Sequence, residues 1–298
     1  MTEYSSSVIL FRDPDRDDSY TTALTPTHTL IKCVSVLEHV YLLDTSDIDN
    51  IVHRFGVCEF SALVFTSQTA VHALAAAASR WLNQPIQSNQ ANVRAHQWSR
   101  ILSLPIFVVG HATRTACESL LFAHTSITPD IRGDQSGQAT NLLPHIIQFC
   151  KHHSCPKLLF VCGDHRRDTL PDGIQASMCA DLVELVAYTT KGRDATKVRE
   201  ELCDAVTQIS ECRKRDRAHK IWMVVFSPSG ARVVIPVLNN LVAQNVLCSP
   251  SADKCALTYQ LAAIGPTTQA EILALGINKD HIAVATTPTA QGIRQALQ

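Results

Sequence analysis

Short apolar runs alternate with segments of helical periodicity along almost the whole chain, and this alternation leaves few architectures open. Strand character falls at residues 8–11, 30–36, 62–65, 106–109, 158–161, 182–188, 221–226, 261–264 and 282–285. Helical spacing occupies 48–55, 70–81, 113–122, 138–150, 170–180, 195–210, 231–244, 268–275 and 290–297. A strand that passes through a helix to the next strand has the connection a parallel pair requires, so the expected class is α/β with parallel sheets. At 298 residues there is material for about two such domains. The polar stretches 83–100, 211–219 and 249–254 interrupt the rhythm and read as surface loops.

Charge narrows the classes of partner. Lys and Arg together number 26 against 27 Asp and Glu, so no global basic field exists for a nucleic-acid backbone or an anionic membrane. Neither kind of partner is expected. The first residues have no basic flank followed by a long apolar core, and the apolar runs are too short to span a bilayer. A cytoplasmic protein is the expectation, with nothing that demands an oligomer, hence a monomer. Eleven cysteines are scattered without a C-x-x-C pair, which favours reduced thiols over a disulfide scaffold. The local cluster Cys150-Lys-His-His-Ser-Cys155 has ligand types that suit zinc but lacks the two separated pairs of a structural site, so no metal is expected.

Five strand-to-helix turns share one chemistry: Phe65-Thr-Ser-Gln-Thr-Ala70, Val109-Gly-His-Ala-Thr113, Val161-Cys-Gly-Asp-His-Arg166, Phe226-Ser-Pro-Ser-Gly230 and Ile264-Gly-Pro-Thr-Thr268. Gly permits a tight turn, and Ser or Thr caps the first helical N–H groups. Such caps also occur where nothing binds. In an open α/β sheet, however, these turns lie at the carboxyl ends of the strands, where ligands sit. Each helix start offers unpaired N–H donors and partial positive charge, so a row of them can receive a polyanion on a nearly neutral protein. No turn carries the dinucleotide fingerprint, a P-loop, a G-x-S-x-G elbow or an H-E-x-x-H helix.

At these residues the chain resembles the uroporphyrinogen-III synthase family. The resemblance rests on an ordered set: Val8-Ile-Leu-Phe-Arg12, Phe65-Thr-Ser67 with Ala70-Val71, Val108-Val-Gly-His-Ala-Thr113, Leu159-Phe-Val-Cys-Gly163 and Leu170-Pro171. It continues through Val186-Ala-Tyr-Thr189, Phe226-Ser-Pro-Ser-Gly230, Ala262-Ala-Ile-Gly-Pro-Thr-Thr268 and Thr287-Pro-Thr289. The resemblance implies two parallel-sheet α/β domains joined by a two-stranded hinge, the second inserted in the first. Residues 1–34 and 190–298 would form the discontinuous domain and 37–186 the inserted one. Their turns would face each other across a cleft.

The implied reaction needs no cofactor. The linear tetrapyrrole hydroxymethylbilane loses the hydroxyl of its terminal hydroxymethyl pyrrole, and the far pyrrole attacks the resulting azafulvene through a spiro intermediate that leaves that ring inverted. Tyr188 corresponds to the family's best catalytic candidate: a phenol with an ordinary pKa of about 10 is protonated at neutral pH and can donate to a departing hydroxyl. The resemblance further implies substrate contacts at Arg12, Ser67, Thr69, Thr113, Gly163, Arg166, Ser227, Ser229, Thr267 and Thr268. Gln68 and Gln260 stand where related sequences commonly carry basic residues, so no charged contact is implied there. Two other readings stay open on the residues alone: a non-catalytic polycarboxylate or tetrapyrrole binder, and a divergent nucleotide-using α/β enzyme.

Overall fold

The computed structural model of the protein describes residues 6–14, 18–56, 60–85, 88–122, 125–153, 156–212, 219–244, 246–247 and 257–298. The chain divides into two compact units, Met1–Glu38 with Lys191–Gln298, and His39–Thr190. Both are α/β.

The discontinuous unit holds a five-stranded sheet of β1 (Ser6–Phe11), β2 (Ile31–Cys33), β9 (His219–Val225), β10 (Leu257–Ala263) and β11 (Ile282–Val284), ordered β11-β10-β9-β1-β2. Each neighbouring pair is parallel. The two-residue period of the strands sorts their side chains between two cores. Ile9, Phe11, Ile221, Met223 and Val225 enter one, built with α8 (Ala195–Cys212) and α9 (Pro228–Ala243). Val8, Leu10, Trp222 and Val224 enter the other, beneath α11 (Ala290–Ala296). Strands buried on both faces explain why these runs are continuously apolar rather than alternating.

The inserted unit carries six strands in the order β3-β8-β7-β4-β5-β6: β3 (Leu37–Tyr41), β4 (Ala62–Phe65), β5 (Ile106–Val108), β6 (Ile131–Arg132), β7 (Lys157–Gly163) and β8 (Asp181–Gly192). Again the period is two. Leu63, Phe65, Leu159 and Val161 pack with α2 (Thr45–Gly56) and α3 (Gln68–Leu82). Ala62, Val64, Leu158, Phe160 and Cys162 pack with α6 (Ala139–Cys150) and α7 (Thr169–Ser177). The chain leaves the first unit within β3 and returns to it within β8, and these two strands are neighbours in the sheet. Among the described residues no helix is long and apolar enough to cross a membrane.

Several local expectations are corrected. Residues 83–100 are not a loop: α4 spans Ser88–Leu102 and buries Trp98, Ile101 and Leu102. Its apolar residues crowd into the C-terminal turns, so the long polar start conceals the helix. Arg94 ties it to α3 by donating to the Trp81 carbonyl (2.8 Å) while its guanidinium covers the Trp81 ring. The run at 30–36 is a strand only over β2 (Ile31–Cys33), and residues 34–36 lead into β3 without regular structure. The helix expected at 113–122 begins as α5 (His111–Ala116) and ends in a π-helical turn, Cys117–Leu121. A short α1 (Ser19–Leu24), capped by Asp18, follows β1 where no helix was expected, while the helix expected at 268–275 is present as α10 (Pro266–Ala274). The loops expected at 211–219 and 249–254 lie largely outside the described residues, as does Cys155. Cys150 is buried, and desolvation pushes its thiol up to about 12.

Candidate active site

In the inserted unit the C-terminal ends of β4, β7 and β8 bring together three segments that are far apart in sequence. Ser67 follows β4 in extended conformation, and its Oγ accepts the Ala70 N–H (3.3 Å), capping α3. The Tyr188 hydroxyl lies 3.0 Å from the same Ser67 Oγ. The third segment is the end of β7, where the pairing with β8 slips by one residue so that Gly163 lies opposite Tyr188. That slip carries the ring over Gly163: a Cβ there would stand 2.7 Å from Tyr188 Cζ and 3.0 Å from its hydroxyl oxygen. Gly at 163 serves this close approach.

Tyr188 packs against the apolar core of the unit and has polar groups beside it. His39 of β3 packs edge-on to its ring at 5.4 Å, with Nδ1 2.9 Å from Thr190 Oγ1. The Asp164 N–H donates to the Tyr188 carbonyl (3.0 Å), and the Thr189 hydroxyl donates to the Asp164 carboxylate. The Thr189 hydrogen bond, seconded by the His165 N–H, holds the Asp164 carboxyl below its ordinary pKa. Cys162, one residue before Gly163, is the opposite case, its thiol pushed up to about 11 by burial.

Beside Tyr188 opens a cavity of about 390 Å³ lined by Gly137, Gln138, Gly163, Arg166, Thr169 and others. Two helices begin at its wall. α6 starts after Gln138 and α7 after Asp168, and neither start has a side-chain cap. No cap side chain takes up the first N–H groups of either helix, and in α7 these are Thr169 and Leu170, since Pro171 has none. Arg166 also lines it, but its guanidinium is already engaged by Glu184 and Asp168. The Glu184 bond, together with Asp168, drives its pKa up.

The remaining expected contacts in this unit are placed differently. Thr69 lies half-buried in the first turn of α3. Thr113 is buried and donates to the Val109 carbonyl (3.0 Å), so its hydroxyl is committed to its own turn. The Gly110 before it has φ +82°, open space around its Cβ position and no side-chain cap to offer α5. Sequence reasoning does not find the turn through Gly137, the His39 ring against the phenol, or the bonds of Asp164 to the Tyr188 carbonyl and the Thr189 hydroxyl. A two-residue strand such as β6 is too short to announce the Gly-rich turn that follows it.

The discontinuous unit has its own row of helix starts. Ser227 caps α9 by accepting the Gly230 N–H (3.0 Å), with Pro228 in the first turn and Ser229 exposed. Gly265 precedes α10 and has no side chain to cap it; Thr267 is exposed and Thr268 buried. Arg12 leaves β1 toward Asp18 (3.7 Å), and its guanidinium lies over Tyr20 at 4.9 Å and Phe226 at 5.5 Å. Among the described residues no group of three or more His, Cys, Asp or Glu is placed to hold a metal ion.

Comparison with known proteins gives the family. The family model described as uroporphyrinogen-III synthase HemD matches residues 31–294. The uroporphyrinogen-III synthase of Saccharomyces cerevisiae is 26% identical over 245 residues, covering 79% of this chain and 75% of the yeast protein. Among solved structures, a mutant uroporphyrinogen III synthase from Thermus thermophilus aligns over 98% of this chain and 99% of its own, with a TM-score of 0.43 and 11% identity. The wild-type enzyme from the same bacterium aligns over 98% of each chain, with a TM-score of 0.36 and 12% identity. By the family match over most of its length, the chain belongs to the uroporphyrinogen-III synthase family.

Proposed function

We infer that the protein is a uroporphyrinogen-III synthase, a lyase that closes hydroxymethylbilane into uroporphyrinogen III with loss of water and inversion of ring D. The observation that carries the site reading is the Tyr188 hydroxyl, held by Ser67 at the edge of a cavity where two helix starts lack side-chain caps. Tyr188 is the proton donor to the departing hydroxyl. Helix starts are the proposed receivers of substrate carboxylates in each unit taken by itself, with Thr69 a proposed side-chain contact in the inserted unit and Arg12, Ser229 and Thr267 in the discontinuous one. Arg166, paired with two carboxylates, orders the wall of the cavity and donates from what remains of its fork.

Backbone N–H groups suit this task. They cannot be titrated, they are fixed before substrate arrives, and they match a polyacid without giving the protein a basic surface. The linear substrate can close without inversion in the absence of protein, so selection of one folded conformer is the larger part of catalysis. No resident cofactor takes part in this scheme, and the protein acts in the cytoplasm as a monomer. The test is to supply the purified protein with freshly generated hydroxymethylbilane and separate the oxidised products by chromatography. Predominance of the type III isomer supports the reading, whereas type I at the spontaneous rate contradicts it.

A further inference from the structure

The geometry points to Ser67 as a positioning residue that aims the Tyr188 proton and stabilises the charge left on the phenol. This deepens the proposed function and rests on Tyr188 being the donor. A serine hydroxyl has one hydrogen and two lone pairs. One lone pair of Ser67 Oγ accepts the Ala70 N–H at the start of α3, so its hydrogen is free to point elsewhere. The Tyr188 oxygen lies 3.0 Å away in a pair where either hydroxyl can donate, and the proposed role takes Ser67 as the donor. With Ser67 donating, the phenol oxygen acts as acceptor on that side and its own hydrogen turns away from Ser67. With Ser67 as donor the chain runs from Ala70 N–H to Ser67 O–H to Tyr188 O–H to the leaving hydroxyl.

The arrangement has an electrostatic consequence. As Tyr188 gives up its proton, negative charge grows on an oxygen that already accepts from Ser67, and Ser67 is polarised by the start of a 15-residue helix. A donor placed where charge develops, and fixed beforehand, acts on the transition state rather than on substrate binding. Two further contacts prevent the phenol from swinging off this line. The His39 ring stands nearly perpendicular to it at 5.4 Å, and the backbone of Gly163 lies against its outer end. Ser67 thus contributes without touching substrate itself.

The experiment compares the unaltered protein with Ser67→Gly, Ser67→Thr and Tyr188→Phe under steady-state conditions. Gly keeps most of the capping preference while removing the hydroxyl, so the fold is retained. Ser67→Gly is expected to lower kcat by about 10- to 100-fold with KM changed by less than about twofold, and Ser67→Thr to restore most of it. The near-UV band of Tyr188, isolated by subtracting the Tyr188→Phe spectrum, is expected to shift when Ser67 becomes Gly. A rise in KM at constant kcat, or an unmoved tyrosine band, overturns the role of Ser67. Full activity in Tyr188→Phe overturns the donor reading beneath it, which is a distinct result from an inactive Tyr188→Phe beside a fully active Ser67→Gly.

Discussion

The hydroxyl of Tyr188 stands 3.0 Å from Ser67 Oγ across 121 residues of sequence, joining the end of β8 to the start of α3. Neither side chain could hold this position alone. The register slip at Gly163 carries the ring over a residue without a Cβ, and the helix cap fixes the serine. The candidate site is therefore a product of sheet order, with β8, β7 and β4 as consecutive strands.

Gly163→Ala should displace the phenol, because the added methyl would meet Tyr188 Cζ at 2.7 Å. We expect turnover to fall at least about tenfold, with a stability loss of roughly 1–3 kcal/mol from overpacking. Gly110→Ala is the control. Its φ of +82° strains any L side chain but its Cβ position is open, so it should cost about 1–2 kcal/mol and leave the tyrosine environment unchanged. Thermal unfolding and turnover measured on both variants separate the two mechanisms.

Stability should fall in mild acid through His28. This ring is buried beside Ser6, and desolvation lowers its pKa from 6.5 to about 4. A histidine whose folded pKa is depressed binds its proton first in the unfolded state. The penalty is absent above pH 6.5 and grows as pH falls toward 4, reaching on the order of 3 kcal/mol. Urea unfolding between pH 4 and 7 should show this slope, and His28→Asn should flatten it.

How much of this was legible follows from the physics of each element. Continuous apolar strands such as β4 and β7, buried on both faces, stand out in sequence because every position is constrained. Ser67 and Ser227 were legible because capping is a local rule. Helix α4 was not, since its burial depends on Trp98, Ile101 and Leu102 at one end alone. The Thr113 hydroxyl looked available and is bonded to Val109, a choice that depends on rotamer rather than residue type. His39 and Asp164 reach Tyr188 only through strand pairing, which no local pattern encodes.

Helix α4 should be integral to the inserted unit rather than an appendage. Trp98→Ala removes a side chain only 6% exposed and packed in the same core as Trp81, Leu63 and Phe65. A loss of about 3–5 kcal/mol in denaturant unfolding is expected. A change below about 1 kcal/mol would show that the helix is dispensable to that core.

The most direct measurement is the isomer composition formed from fresh hydroxymethylbilane by the unaltered protein and by Tyr188→Phe, side by side. Mainly type III is expected from the first, and from the second a rate at least about 100-fold lower with bound tetrapyrrole still detectable. Type I at the buffer rate from the unaltered protein, or undiminished type III formation by Tyr188→Phe, would contradict that expectation.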